Sequence, residues 1–200
     1  MTSREMAEAI SHIFSAPVVA ALTFVVLIVL VKAPNPLILI MISLTFGTAV
    51  PLILLYFLSR KGIIPDLYAS KRESRAIPFI GAILSYLLGA IFLLAAEAPP
   101  IVTAVMLCYL GNSLIMMLVT LKWKISIHTS GITGPATALA YFLGVWALLF
   151  FGLVIPVGWA RIKLKAHNIT QVTAGALLTI VVTWLQLGIY LRLLQSIRLA

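Results

Sequence analysis

Long uninterrupted apolar segments are the feature that most constrains what this chain can fold into. Residues 16–31, 37–58, 77–96 and 101–121 contain no Lys, Arg, Asp or Glu. As helices, such segments are long enough to cross a hydrocarbon core of about 30 Å. A membrane β-barrel would instead need segments of about ten residues that alternate in polarity. The sequence therefore predicts an all-α transmembrane bundle.

Composition agrees with this prediction and limits the number of domains. The chain is 62% hydrophobic and 10% charged, with a mean hydropathy of +1.16, whereas an ordinary soluble domain is about 25% charged. We predict a single domain over residues 1–200, in which a short interfacial helix in residues 1–14 leads into the first span. The first apolar segment is followed by Lys32–Pro36 and another span, so it is interpreted as a retained anchor rather than a cleaved signal peptide.

The segment 131–159 leaves the topology open. Hydropathy alone would make it one long tilted span, whereas about 28 residues also suffice for two short helices that turn near Gly144. The hairpin would place residues 122–128 and 161–171 at the same membrane face. With a final span over residues 169–191, the prediction is six to seven crossings, with seven if the hairpin forms.

Basic residues are concentrated in the loops between the predicted spans. The formal net charge is +9, and its position in short loops argues against a nucleic-acid partner. The positive-inside rule would place these loops in the cytoplasm of a multi-pass cell-membrane protein. A phosphate-binding site would also be basic on either side, so the orientation stays open. Ten of the 14 Lys and Arg residues form three such groups: Arg60, Lys61, Lys71, Arg72 and Arg75; Lys122 and Lys124; and Arg161, Lys163 and Lys165.

The few remaining polar residues limit the possible chemistry. Five acids and three histidines are too few for a two-metal hydrolase, and neither a His-Glu-x-x-His motif nor a Gly-rich nucleotide loop occurs. The basic loops contain Ser126, His128, Arg161, His167 and Gln171. Cations, a hydroxyl group and two imidazoles suit an anionic phosphoryl group. We therefore expect no metal and no cofactor.

The spacing of these polar residues resembles a known family. Arg161 is followed after five residues by His167, and His167 after three residues by Gln171, whereas Ser126 and His128 are separated by one residue. These patterns resemble two motifs of the type 2 phosphatidic acid phosphatase superfamily. That superfamily, which also includes vanadium haloperoxidases, carries Ser-Arg, five residues, His, three residues, Asp, and also Pro-Ser-Gly-His.

The first basic loop adds a third, more divergent point of resemblance. The superfamily's first motif is Lys, six residues, Arg-Pro, and in its place this chain carries Asp66, Arg72, Arg75 and Pro78. This pattern is similar to one in archaeal and bacterial relatives, which also carry Lys-Ile-Ser-x-His, as residues 124–128 do. The resemblance covers roughly residues 66–175 and indicates a divergent archaeal or bacterial branch.

The resemblance implies a mechanism and a substrate class. His167 would attack phosphorus and form a phosphohistidine, and His128 would protonate the departing alkoxide. The substrate would be a lipid phosphate or an isoprenyl phosphate or diphosphate in the bilayer. The phosphoryl oxygens would be held by Arg161, Ser126, a first-loop cation (Arg72 or Arg75) and Lys124.

Gln171 is the departure from the family pattern with the largest consequence. At position i+4, its amide oxygen can orient the ring of His167, but it carries no negative charge. In serine proteases the analogous change from Asp to Asn lowers the rate by about 10⁴. Ile125, Ile127 and Ala160 also replace Pro, Gly and Ser. The alternative hypothesis is therefore a catalytically silent lipid-phosphate binder. A transporter lacks support, because no charged residue lies in the middle of a span.

Other polar and aromatic residues receive structural interpretations. His12 is predicted to be interfacial, without a role in chemistry. Trp123, Trp159 and Tyr68 are predicted to belong to an aromatic belt at the membrane surface. Asp66 is expected to cap a helix or to pair with a neighbouring arginine.

Overall fold

A computed structural model describes residues 1–67 and 69–199, with side chains to residue 197; Tyr68, placed above in the aromatic belt, lies outside the described residues. This part of the chain is helical and contains no β-strand, which confirms the all-α prediction. Its α-helices are α1 (Ser3–Ile13), α2 (Ala16–Leu30), α3 (Pro36–Leu44), α4 (Val50–Arg60), α5 (Ala76–Ala95), α6 (Pro100–Lys122), α7 (Ile127–Leu143), α8 (Val154–Lys163) and α9 (Ile169–Leu199).

The predicted apolar segments form the long helices. Five segments of the described chain are long and apolar enough to cross a membrane, and a sixth results if α1 and α2, which meet at a 45° bend, are counted as one span. These five are Pro36–Arg60, Arg72–Ala95, Pro100–Lys122, Ile127–Lys163 and Ile169–Ile197. The protein is therefore a polytopic helical bundle, as predicted.

The span Pro36–Arg60 is not a regular α-helix. α3 and α4 are joined by a π-helical turn, Thr45–Ala49. Pro51, which has no backbone N–H to donate, follows this turn. The carbonyl oxygen of Phe46 within the turn accepts a hydrogen bond of 2.7 Å from the Ser85 hydroxyl group of α5. The irregular turn is thus held by a neighbouring helix, which is how non-helical backbone is tolerated in lipid.

The segment Ile127–Lys163 folds back on itself. As one straight helix of 37 residues, it would separate its ends by about 55 Å. Instead, His128 near its start and Arg161 near its end line the same cavity. The chain turns at Gly144, whose positive φ of 72° is a conformation that glycine adopts readily. Of the two topologies left open by the sequence, the structure adopts the hairpin.

α7 and α9 run parallel and pack closely, which fixes the start of both helices. The backbone N–H of Ser126 donates to the carbonyl oxygen of Gln171 at 3.2 Å, and the hydroxyl groups of Ser130 and Thr179 are 2.6 Å apart. An added methyl group at Gly175 would lie 2.6 Å from the carbonyl oxygen of Ser126. Small residues thus allow the close backbone approach that is typical of membrane helices.

The apolar core lies at the centre of the bundle, around α2, α5 and α6. Phe24, Leu27, Leu93, Val102 and Met106 are all fully buried there. Outside this core, α1 packs against α8 at the end of the bundle that carries the basic loops. The core therefore holds the spanning helices together.

Candidate active site

A cavity of about 270 Å³ lies at the end of the bundle where the three basic loops meet. Two guanidinium groups and three imidazole groups line it: Arg75, Arg161, His12, His128 and His167. Among the described residues, no Asp or Glu lines this cavity. Two guanidinium groups in a cavity whose described lining carries no carboxylate give it a positive potential, which favours an anion.

Arg75 is held between two loops. Its Nε donates to the carbonyl oxygen of Ala69 at 2.8 Å, and its Nη1 donates to the carbonyl oxygen of Ile125 at 3.0 Å. The residue is 3% exposed. Neutral carbonyl groups accept these two hydrogen bonds, and Asp66 and Glu73 interact with the guanidinium group electrostatically. Arg75 therefore presents a partly balanced positive charge to a ligand in the cavity.

His167 precedes α9, and two hydrogen bonds to Gln171 fix its protonation pattern. The Gln171 Oε1 lies 3.0 Å from the His167 Nδ1 and 3.4 Å from the backbone N–H of Asn168. Since a backbone N–H requires an acceptor, this atom is the amide oxygen, and Nδ1 must carry the proton. The Asn168 Oδ1 in turn accepts from the Gln171 N–H at 2.9 Å, so the pair forms a capping box.

The surroundings of His167 keep its ring neutral. Burial lowers the pKa of His167 to about 4; the hydrogen bond to Gln171 opposes this effect, and the positive charges of Arg75, Arg161 and Lys124 lower the pKa further. Burial also lowers the pKa of Lys124, and the two arginines add to that effect. At neutral pH, His167 therefore has one N–H, on Nδ1, and a lone pair on Nε2.

Arg161 is brought to the cavity by α8 and is supported by α1. The residue is 5% exposed, and its Nη1 donates to the Ser11 hydroxyl group at 3.4 Å. The next residue, His12, is exposed and also lines the cavity; the sequence predicts an interfacial residue there without a role in chemistry. The sequence did contain a signal for a polar contact at this point, because Ser11 and His12 are adjacent polar residues on an amphipathic helix.

Three of the predicted phosphate-binding residues are not among those that line the cavity. Ser126 is fully buried and acts as the N-cap of α7, with its Oγ accepting from the Thr129 N–H at 3.4 Å. Arg72 donates to the carbonyl oxygen of Lys122 at 2.7 Å and so caps the end of α6. Lys124 lies close enough to Arg75 and Arg161 to interact with them electrostatically.

The rest of the cavity is largely apolar. Helices α2, α4 and α5 supply most of this wall, and one of its side chains, Leu52, is exposed on the outer surface of the bundle. An apolar wall beside a cationic group of residues fits an amphipathic ligand, with its anionic end among the cations. The wall comprises Ala16, Pro17, Pro51, Leu52, Leu55, Pro78, Phe79, Ala82, Tyr86 and Ile127.

Among the side chains that the structure describes, no group of three or more His, Cys, Asp or Glu residues is placed to hold a metal ion.

Comparisons with family models, curated proteins and solved structures found no match for this chain. The fold and the cavity together define a class: a polytopic helical membrane protein with a cationic, histidine-containing cavity at one end of the bundle.

Proposed function

We propose that this protein is a metal-independent phosphatase of lipid phosphates or isoprenyl (di)phosphates in the cell membrane. We assign it to a divergent branch of the type 2 phosphatidic acid phosphatase superfamily. The observation that carries the proposal is the state of His167. Because the His167 Nδ1–H donates a hydrogen bond to Gln171, the unprotonated Nε2 is the nitrogen that can attack a phosphoryl group in the cavity.

In the first step, the His167 Nε2 attacks phosphorus. A P–N bond forms, the bond between phosphorus and the lipid oxygen breaks, and the electron pair leaves with that oxygen. His128 lines the same cavity and, protonated when the negative phosphate group of the substrate is beside it, donates a proton to the departing alkoxide. The dephosphorylated lipid alcohol is the first product.

In the second step, water attacks the phosphohistidine. His128 is now neutral and accepts a proton from the attacking water, while the P–N bond breaks and its electron pair returns to Nε2. Inorganic phosphate is released, His167 regains its neutral state and His128 regains its proton. The cycle consumes one water molecule and needs no further reactant.

Arg75 and Arg161 stabilise the charge on the phosphoryl oxygens in both steps. They are the two guanidinium groups that line the cavity, and planar guanidinium groups match phosphate geometry. Such cationic stabilisation is the main task in phosphoryl transfer, where the protein's contribution is positioning and electrostatics. The adjoining apolar wall favours a substrate with a hydrocarbon tail.

The test is phosphate release by purified protein in detergent, with a short-chain phosphatidate and an isoprenyl phosphate as substrates. We expect turnover by the wild type, inhibition by vanadate, and no turnover above background by His167→Ala and His128→Ala. Quenching in alkaline denaturant during turnover should trap a phosphorylated protein in the wild type but not in His167→Ala, because the P–N bond of a phosphohistidine survives in alkali and hydrolyses in acid. Turnover that survives His167→Ala would refute the phosphohistidine mechanism.

A catalytically silent lipid-phosphate binder is the second candidate, and Gln171 is the observation that favours it. The amide orients His167 but contributes no negative charge to an imidazolium-like transition state, and the same amide oxygen also accepts from Asn168. A silent binder would bind vanadate through Arg161 but release no phosphate from either substrate. Binding and turnover measured on one preparation therefore separate the two candidates.

A further inference from the structure

The N-terminal helix α1 is part of the wall of the cavity. One face of this helix, with Ala7 and Ser11, is buried, and the helix packs against α8. Met6 and Ile13 are exposed, which suits a helix lying at the surface of the bilayer. Through the contact between Ser11 and Arg161, α1 is attached directly to the cationic end of the cavity.

His12 lies between the two chemically different parts of the cavity. On one side, the preceding residue Ser11 contacts Arg161. On the other side, Ala16 and Pro17, one turn further along the chain, begin the apolar wall. A group bound at His12 would therefore lie between an anion held by the arginines and a hydrocarbon tail held by the apolar wall.

His12 and the proposed general acid line the same cavity. The two imidazole groups are close enough to interact electrostatically. Because His128 faces the leaving group in the proposed mechanism, an anionic leaving group beside His128 is also within the influence of His12.

We propose that His12 forms a second anion subsite, which holds the phosphate nearest the lipid when the substrate is a lipid diphosphate. This inference rests on the proposed phosphatase function and specifies which substrates its site accommodates. The terminal phosphate lies at Arg75, Arg161 and His167, the inner phosphate at His12 and His128, and the tail along the apolar wall. An imidazole has an N–H to donate to a phosphate oxygen in either protonation state.

The two substrate types differ in what their leaving group needs. With a lipid monophosphate, the bond between phosphorus and the lipid oxygen breaks, and the alkoxide must receive a proton from His128. With a lipid diphosphate, the His167 Nε2 attacks the terminal phosphorus and the P–O–P bridge breaks. The electron pair goes to the bridging oxygen, and a lipid monophosphate anion leaves. Cationic or N–H groups beside that anion stabilise it, so His12 contributes mainly to diphosphate hydrolysis.

The experiment compares farnesyl diphosphate with farnesyl monophosphate as substrates in detergent. We expect His12→Ala to lower kcat/KM for the diphosphate about tenfold and for the monophosphate less than twofold, because only the diphosphate has a phosphate at His12. His12→Lys should restore most of the diphosphate activity, which a merely structural defect would not allow. Arg4→Gln is the matched control, since Arg4 lies on the same helix and pairs with Glu8 on its exposed face.

Two further outcomes separate this inference from the proposed function. Equal losses of kcat/KM for both substrates in His12→Ala would overturn the diphosphate subsite and leave the phosphatase assignment in place. Binding is measured by calorimetry with methylenediphosphonate and inorganic phosphate, neither of which requires turnover. If the wild type shows no turnover but its binding of methylenediphosphonate depends on His12, the subsite proposal stands and the phosphatase proposal is refuted. Diphosphonate binding unchanged in His12→Ala would overturn the subsite whether or not the protein is an enzyme.

Discussion

Replacing Gln171 by Glu tests how the missing negative charge limits the proposed reaction. Glutamate has the length of glutamine, so its carboxylate can occupy the position of the amide oxygen, 3.0 Å from the His167 Nδ1. It can also keep the capping box with Asn168, because Glu is a usual residue at that position. The substitution therefore adds a charge and preserves the geometry.

The expected gain follows from the charge that develops on His167 when it attacks phosphorus. A positive and a negative unit charge about 4 Å apart attract by about 4 kcal/mol at an effective dielectric constant of about 20. Arg75 and Arg161 attract the same carboxylate and lose part of their hold on the substrate, which we take to halve the gain. A net transition-state stabilisation of about 2 kcal/mol corresponds to an increase in kcat of about 30-fold.

The assay is phosphate release from a short-chain phosphatidate or an isoprenyl phosphate by the wild type, Gln171→Glu and Gln171→Asp. The sequence alone predicts that Gln171→Asp raises turnover. Because the aspartate side chain is one methylene group shorter, we expect it to raise turnover less than Gln171→Glu. The pKa of His167 should rise from about 4 towards its ordinary value in both variants. A Gln171→Glu variant that is no faster than the wild type, although His167→Ala is inactive, would refute this electrostatic reasoning.

Three further predictions follow from the geometry. Arg161→Ala should weaken vanadate binding about 10- to 100-fold, whereas Arg60→Ala, an exposed cation of the first basic loop, should change it less than twofold; equal losses would indicate only diffuse charge. The pKa of His167 is about 4 in the folded protein, so between about pH 4 and pH 6.5 the unfolded chain binds more protons at this residue than the folded chain does. Lowering the pH from 6.5 to 4.5 should therefore reduce the melting temperature more in the wild type than in His167→Ala. Gly175→Ala would place a methyl group 2.6 Å from a backbone oxygen at the start of α7 and should destabilise the protein by about 1–3 kcal/mol. Gly152→Ala, with open space around it, is the control, and equal melting temperatures would contradict this packing argument.

The fold class and one part of the site could be predicted because they depend on local properties of the chain. Apolar segments of sufficient length form helices in lipid, since only helices satisfy every backbone group within one segment. The spacing of His167 and Gln171 predicted their hydrogen bond, because residues four apart near the start of a helix are neighbours. The structure confirms that contact at 3.0 Å.

The choice between Arg72 and Arg75 needed the tertiary structure. Both are cations of the same loop, and the sequence left either as a phosphate-binding residue. In the structure, hydrogen bonds to the carbonyl oxygens of Ala69 and Ile125 hold Arg75 at the cavity, whereas Arg72 donates to a carbonyl oxygen at the end of α6. Such partners come from segments up to 50 positions away in the chain, so no local spacing distinguishes the two residues.

The sequence by itself determined the helices, the basic end of the bundle and the pairing of His167 with Gln171. Only the tertiary structure decided that the segment after His128 turns back at Gly144, and that α1 brings His12 to the same cavity. The physical reason is that hydropathy and helical spacing act between residues close in the chain. The packing of α1 on α8 and of α7 on α9, in contrast, depends on the shapes of surfaces built from distant segments.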